Sequence, residues 1–165
     1  IVANTLFAYG AAAVVGMPVQ SGDGPRWSVQ AQGTFLMPMS HEAMSWRIGD
    51  HGFRMTLSAE VPELIRTNLG GWLQGWLEDQ GLAVRDVASW AVHPGGPRIL
   101  EVVEEVLDLQ DGALDVSWEV FRNQGNMSSP TVLFVLERLR RTDAPLPCVA
   151  LAFGPGLVVE AMLVV

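Results

Sequence analysis

The chain has 165 residues, 49% of them hydrophobic, and a net charge of −8. That length and apolar content suffice for one sizeable buried core, and the negative field weighs against a nucleic-acid or anionic-membrane surface as partner. Only 17% of residues are charged, below the roughly 25% of an average soluble domain, so an apolar surface meeting another domain or subunit is expected.

The first 19 residues carry no charged side chain. Asn4, Thr5, Tyr9, Gly10, Gly16 and Pro18 interrupt this run, and no Lys or Arg precedes it, so neither a membrane span nor an export signal is read there. Residues 11–17 are instead expected to form a buried strand. The chain begins at Ile1 rather than at methionine, which suggests a fragment or a processed piece. Ser21-Gly22-Asp23-Gly24-Pro25 reads as a loop, and residues 27–35 and 53–57 read as strands. A helix opens at Pro62, where proline's missing N–H needs no partner. Ile65, Leu69, Trp72, Leu73 and Trp76 give it one apolar face, and Gly70, Gly71 and Gly75 suggest close packing against a neighbour.

A strand over 87–92 runs straight into His93, and a helix follows over 98–107 with Ile99, Leu100, Val103 and Leu107 inward. Glu101, Glu104 and Glu105 fall on its solvated side. Residues 115–123 form a further helix that Gly125 ends by taking a left-handed conformation. Ser129-Pro130 reads as an N-cap and first helical residue, opening a helix to about Arg141. Strands over 149–153 and 157–165 flank the turn Gly154-Pro155-Gly156. Strands alternating with helices indicate an α/β layered domain.

Two turns could carry chemistry. His93-Pro94-Gly95-Gly96-Pro97 places an imidazole at the end of a strand, where open α/β sheets present ligands, and Gly95 and Gly96 leave room beside it. Gly125-Asn126-Met127-Ser128-Ser129 places a carboxamide 33 positions after His93. Aimed at one oxygen, the two donors would stabilise an enolate or oxyanion. Taken singly, each residue has a plainer reading: a loop histidine before a helix, and an asparagine suited to a turn. The single cysteine, Cys148, rules out an internal disulfide and fits a reducing cytoplasm. It opens an apolar strand with no cation near it, so it reads as a buried structural thiol. His41 and His51 beside Glu42 and Asp50 make too sparse a pattern for a metal site, and surface histidines are expected.

These two turns, together with Phe153-Gly154-Pro155-Gly156, resemble the C-terminal half of type III polyketide synthases, the chalcone and stilbene synthase-like enzymes of the thiolase superfamily. Leu6-Phe7-Ala8-Tyr9-Gly10-Ala11-Ala12-Ala13 and Trp46-Arg47-Ile48-Gly49-Asp50-His51-Gly52-Phe53 are similar to further segments of that family, the second especially to bacterial members. The resemblance implies a thiolase-like layered αβα half-domain, the C-terminal half of an αβαβα fold. Residues 1–20 would be the last strands of the N-terminal half and 21–165 the C-terminal domain. It also implies a cytoplasmic acyltransferase of polyketide biosynthesis that condenses malonyl-CoA decarboxylatively onto a cysteine-bound starter. The nucleophilic cysteine would lie in the N-terminal half, so the isolated fragment would be inactive.

By the same resemblance His93 and Asn126 are the catalytic pair that binds the thioester carbonyl. Phe7, Met55, Trp46, Ser128, Gly154 and Pro155 would contact substrate, and Leu57, Gly95 and Arg98 would lie along coenzyme A. No cofactor or metal is implied, since coenzyme A thioesters are substrates. The partners implied are acyl-CoA and malonyl-CoA, the N-terminal half of the same enzyme and a second copy in a homodimer, with no nucleic acid and no membrane. Met55 stands where the family has a second gating phenylalanine and Trp46 where it has a cavity glycine. These departures suggest a long-chain or simple acyl starter and an alkylpyrone, alkylresorcinol or small phenolic product. Tyr9 and Ala152 also depart, from aspartate and glycine. Alternative readings are a ketoacyl-ACP synthase III-like condensing enzyme and a non-catalytic thiolase-like module for dimerisation or binding.

Overall fold

A computed structural model of the chain describes residues 6–18 and 27–165. The first strand, β1 (Val29–Leu36), is followed by a hairpin, β2 (Met44–Gly49) and β3 (Gly52–Leu57), and by the long helix α1 (Val61–Glu78). After a single 3-10 turn come β4 (Ser89–Val92), α2 (Pro97–Val106), α3 (Asp115–Gln124), α4 (Pro130–Arg141), β5 (Cys148–Gly154) and β6 (Val158–Val164). The main sheet has the order β1-β6-β5-β4. β4 and β5 are parallel, which demands a long crossover, and α2, α3 and α4 supply it. β5–β6 and β6–β1 are antiparallel.

Strand alternation divides the core in two. Val149, Leu151, Val159, Ala161 and Leu163 pack with Leu69 and Leu73 of α1 and Leu100 and Val103 of α2. Cys148, Ala150 and Val164 point the other way, toward Val120 of α3 and Val135 and Leu139 of α4. The sheet therefore lies between two helical layers, as the alternation of strands and helices predicts. Each fully buried Leu or Val contributes about 1.5–3 kcal/mol.

The inward face of α1 is Ile65, Leu69, Leu73 and Leu77, all inaccessible to solvent. Trp72 and Trp76 lie at its margin, where Trp72 stacks on Phe35 at 5.4 Å and Trp76 Nε1 donates to the Gln32 carbonyl. Of the three helix glycines only Gly70 marks a close approach, since a Cβ there would sit 3.2 Å from Val106. Around Gly71 and Gly75 there is open space, so close packing does not account for them.

The strand expected over 11–17 does not form: residues 11–18 are exposed and without regular structure. An apolar run needs a sheet edge to pair with, and among the described residues the N-terminal segment's strand-like pairing with the domain is an isolated bridge between Phe7 and Asn126. The expected loop at Ser21–Pro25 and the boundary at 20/21 lie outside the described residues. β2 was not anticipated, although Met44, Trp46 and Ile48 alternate with Ser45 and Arg47 along it.

α4 covers β4 and β5 but leaves β6 and β1 open beside it. A hollow of about 320 Å³ there is lined by Leu133 and Leu136 of the helix and by Ala150, Met162 and Glu160 of the sheet. Val15, Met39 and Ile48 are also largely exposed.

Candidate active site

His93 follows β4 directly, and its backbone N–H continues the ladder to the Leu151 carbonyl at 2.8 Å. β4 is an edge strand, so its outer N–H groups need another partner. Ser117 of α3, fully buried, accepts the Val92 N–H at 3.2 Å, fixing the strand one residue before the imidazole. His93 itself is 8% exposed. Burial disfavours its charged form and moves its pKa from 6.5 down to about 4, so the ring is neutral at pH 7. Among the described residues its Nδ1 is buried without a partner, which favours the tautomer carrying the proton on Nε2.

Asn126 is 4% exposed and is held from several directions. Gly125 ends α3 with φ 75° and ψ −169°. This is not the left-handed helical conformation expected of it but the mirror of the extended region, open essentially to glycine alone. Asn126 Oδ1 accepts the Ser128 N–H at 2.8 Å, which settles the orientation of the amide. Nδ2 then donates to the Gly95 carbonyl at 3.1 Å, tying the two glycine turns together and leaving one N–H free among the described residues. The backbone of Asn126 also bonds the N-terminal segment, through Leu6 O at 3.0 Å and Ala8 N at 2.7 Å. That bridge sets Phe7 beside the carboxamide.

Ser129 occupies the N-cap position of α4 but makes no side-chain cap, having helical angles of its own. The turn is secured instead by Thr131, whose Oγ1 accepts the Met127 N–H and donates to the Ser128 carbonyl, both at 2.8 Å.

His93 and Asn126 open onto one cavity of about 720 Å³. The two strands of the hairpin form one wall: Met44 pairs with Leu57 and Trp46 with Met55, and all four side chains line the cavity. Phe7, Gly95, Arg98, Ser128 and Pro155 line it as well, whereas Gly154 does not. The hydrogen bond from Gly156 N to Met44 O, 2.7 Å, secures the hairpin to the Gly154-Pro155-Gly156 turn and brings Pro155 to the rim. A Cβ at Gly95 or Gly96 would meet no atom closer than 3.6 Å, so these glycines widen the cavity rather than relieve a clash.

Arg98 is the only charged residue among the described lining. It sits in the first turn of α2, which holds no acidic residue, and a helix N-terminus adds positive potential. The cavity mouth is thus locally favourable to an anion despite the net charge. Sequence reasoning did not anticipate Ser58, Pro62 or Phe153 at the cavity. The alternation in β2 is the signal that would have revealed Met44.

Cys148 is fully buried and free. Burial raises its thiol pKa above the ordinary value, against smaller lowering by hydrogen bonds with Ser89 and the backbone of Ala91. It lies on the α3–α4 side of the sheet and is not among the residues lining the cavity. His41 and His51 are exposed as expected. Among the described residues no three His, Cys, Asp or Glu side chains cluster as metal ligands, and no helix is long and apolar enough to cross a membrane.

A layered αβα unit with a buried imidazole and a buried carboxamide at one cavity defines half of a thiolase-like fold. The solved structure of PKS-I from the brown alga Ectocarpus siliculosus superposes on it with a TM-score of 0.84 at 29% identity, over 88% of this chain and 41% of that one. Residues 28–165 match the family model for chalcone and stilbene synthases, C-terminal domain, and the chain belongs to that family. It is 43% identical to the 1,3,6,8-tetrahydroxynaphthalene synthase of Streptomyces peucetius subsp. caesius, over 99% of this chain and 45% of that protein. It is 34% identical to type III polyketide synthase 21 of Oryza sativa subsp. japonica, over 99% and 44%. The chain spans less than half the length of these curated relatives.

Proposed function

We propose that this chain supplies the enolate-stabilising half of a type III polyketide synthase. In the reaction, the bond between the malonyl α-carbon and its free carboxylate breaks. Carbon dioxide leaves, and the electron pair stays on the α-carbon as the enolate of the thioester. His93 and the free N–H of Asn126 donate to the enolate oxygen, lowering the barrier in a water-poor cavity. The carbanion then attacks an acyl thioester on a cysteine, whose thiolate departs. Because decarboxylation generates the carbanion, no general base is needed, and a neutral imidazole suffices as donor.

Cys148 is unsuited to carry the acyl group, being buried away from the cavity with a raised pKa, so the nucleophile comes from the N-terminal half of the fold. The open sheet face beside α4 and the exposed Val15 and Ile48 support contact with that half, within a homodimeric cytoplasmic enzyme. Arg98 and the N-terminus of α2 favour the phosphates of coenzyme A.

Product class follows from the hairpin wall. Trp46 opposite Met55 fills space where a glycine would leave a deeper cavity, and the thioether bends around an incoming chain. The tetrahydroxynaphthalene synthase relative favours a small phenolic product over an alkylpyrone or alkylresorcinol. The observation that carries the whole reading is the pair of buried, tied donors at one cavity.

The test is malonyl-CoA decarboxylation by the enzyme containing this chain and the N-terminal half. His93→Ala and Asn126→Ala should each slow it by at least about a hundredfold, the usual effect of removing one such donor. Near-normal decarboxylation in either variant contradicts the assignment, and efficient formation of a chalcone from p-coumaroyl-CoA contradicts the proposed product class.

A further inference from the structure

Asn126 is useful only if its N–H, rather than its carbonyl oxygen, faces the reacting oxygen. The orientation is set by two bonds, from the Ser128 N–H to Asn126 Oδ1 at 2.8 Å and from Asn126 Nδ2 to the Gly95 carbonyl at 3.1 Å, the first being the shorter. The Ser128 N–H belongs to the Met127–Ser128 peptide unit, and just beyond it Ser128 holds φ 64°, a left-handed conformation unfavourable for any residue with a Cβ. Something must hold the turn in this shape, and Ser129 does not.

Thr131 is fully buried and its one hydroxyl clasps the turn from both sides, accepting from Met127 N and donating to Ser128 O. Its backbone N–H reaches the same Ser128 carbonyl at 3.0 Å. We propose that Thr131 is a positioning residue that keeps the Asn126 amide turned N–H outward, acting through the Met127 and Ser128 peptide units and touching no substrate. The inference rests on the reading of Asn126 given above. Without the hydroxyl, the buried Met127 N–H loses its partner and the turn relaxes toward negative φ at Ser128. The Met127–Ser128 peptide shifts, the Asn126 Oδ1 bond is lost, and only the longer bond from Nδ2 to the Gly95 carbonyl still opposes rotation of the amide. A rotated amide presents an acceptor to a developing oxyanion, which raises the barrier while leaving ground-state binding little changed.

The test uses the same whole enzyme, with kcat and KM for malonyl-CoA decarboxylation measured in Thr131→Val, Thr131→Ala, Thr131→Ser and Asn126→Ala. Valine preserves shape without the hydroxyl, and alanine and serine differ by the hydroxyl alone, so the second pair serves if valine impairs folding. The valine and alanine variants should lose about tenfold in kcat with KM within about twofold, and serine should stay within about threefold of the parent in both. The proposal is overturned if Asn126→Ala loses a hundredfold while the valine or alanine variant keeps the parental kcat. It is equally overturned if serine falls as far as alanine, or if the loss appears in KM. Undiminished activity in Asn126→Ala refutes the underlying reading of the site instead.

Discussion

The neutral, buried state of His93 has a consequence for acid stability that needs no substrate. The folded chain takes up this proton near pH 4, against an ordinary value of 6.5. Between those values the unfolded state binds more protons than the folded state, so stability falls as pH falls through the window. Above pH 6.5 both states are neutral and nothing is lost; below 4 the loss is complete. At 1.36 kcal/mol per unit the full loss is about 3 kcal/mol, of which roughly 1 has appeared by pH 5.5 and roughly 2 to 3 by pH 4.5. Carboxylates also begin to titrate at the lower end, so the informative quantity is a difference. Urea unfolding of the protein and of His93→Gln should be compared at pH 7.5, 6.5, 5.5 and 4.5. The parent should lose stability relative to the variant by about 1 kcal/mol between pH 7.5 and 5.5, and by more at 4.5. Parallel stability curves for the two proteins over that range would refute the claim that burial holds this imidazole neutral.

Gly125→Ala should lower stability by about 1–3 kcal/mol, because the glycine-only backbone conformation becomes strained and the new Cβ meets the Cβ of Ala8 at 3.1 Å; denaturant midpoints measure this, and an unchanged midpoint contradicts it. Cys148, fully buried with its thiol pKa raised by that burial, should resist a thiol-specific reagent at pH 8 in the folded state and react fully once unfolded. Rapid labelling in native buffer would show that the thiol is accessible and reopen its exclusion as a nucleophile.

Much of the site is written in short words of sequence, because stiff local geometry is what short words encode. His93 at the end of β4 and Gly125 at the end of α3 follow from strand and helix termination, which depend on a few neighbouring residues. The apolar face of α1 is legible for the same reason, through the helical spacing of Ile65, Leu69 and Leu73. Other features depend on residues that meet only in three dimensions. Ser129-Pro130 has the spelling of a cap, but the buried turn is satisfied by Thr131, and no local propensity distinguishes a capping hydroxyl before the helix from one inside it. That the Gly95 carbonyl accepts from Asn126 likewise depends on β4 and α4 sharing one layer boundary.

Residues 11–17 show what hydropathy leaves open. An apolar run states that water is disfavoured there but not what replaces it. Ser117 meets the Val92 N–H beyond β4, β1 pairs only with β6, and the run joins neither edge and stays exposed. Its one bridge to the domain falls at Phe7, against the backbone of Asn126. The same contact that seats Phe7 at the cavity therefore also holds the backbone of Asn126, whose side chain is tied to Gly95. A displacement of this segment would move Asn126 as well as Phe7, so two of the residues lining the cavity depend on one backbone bridge.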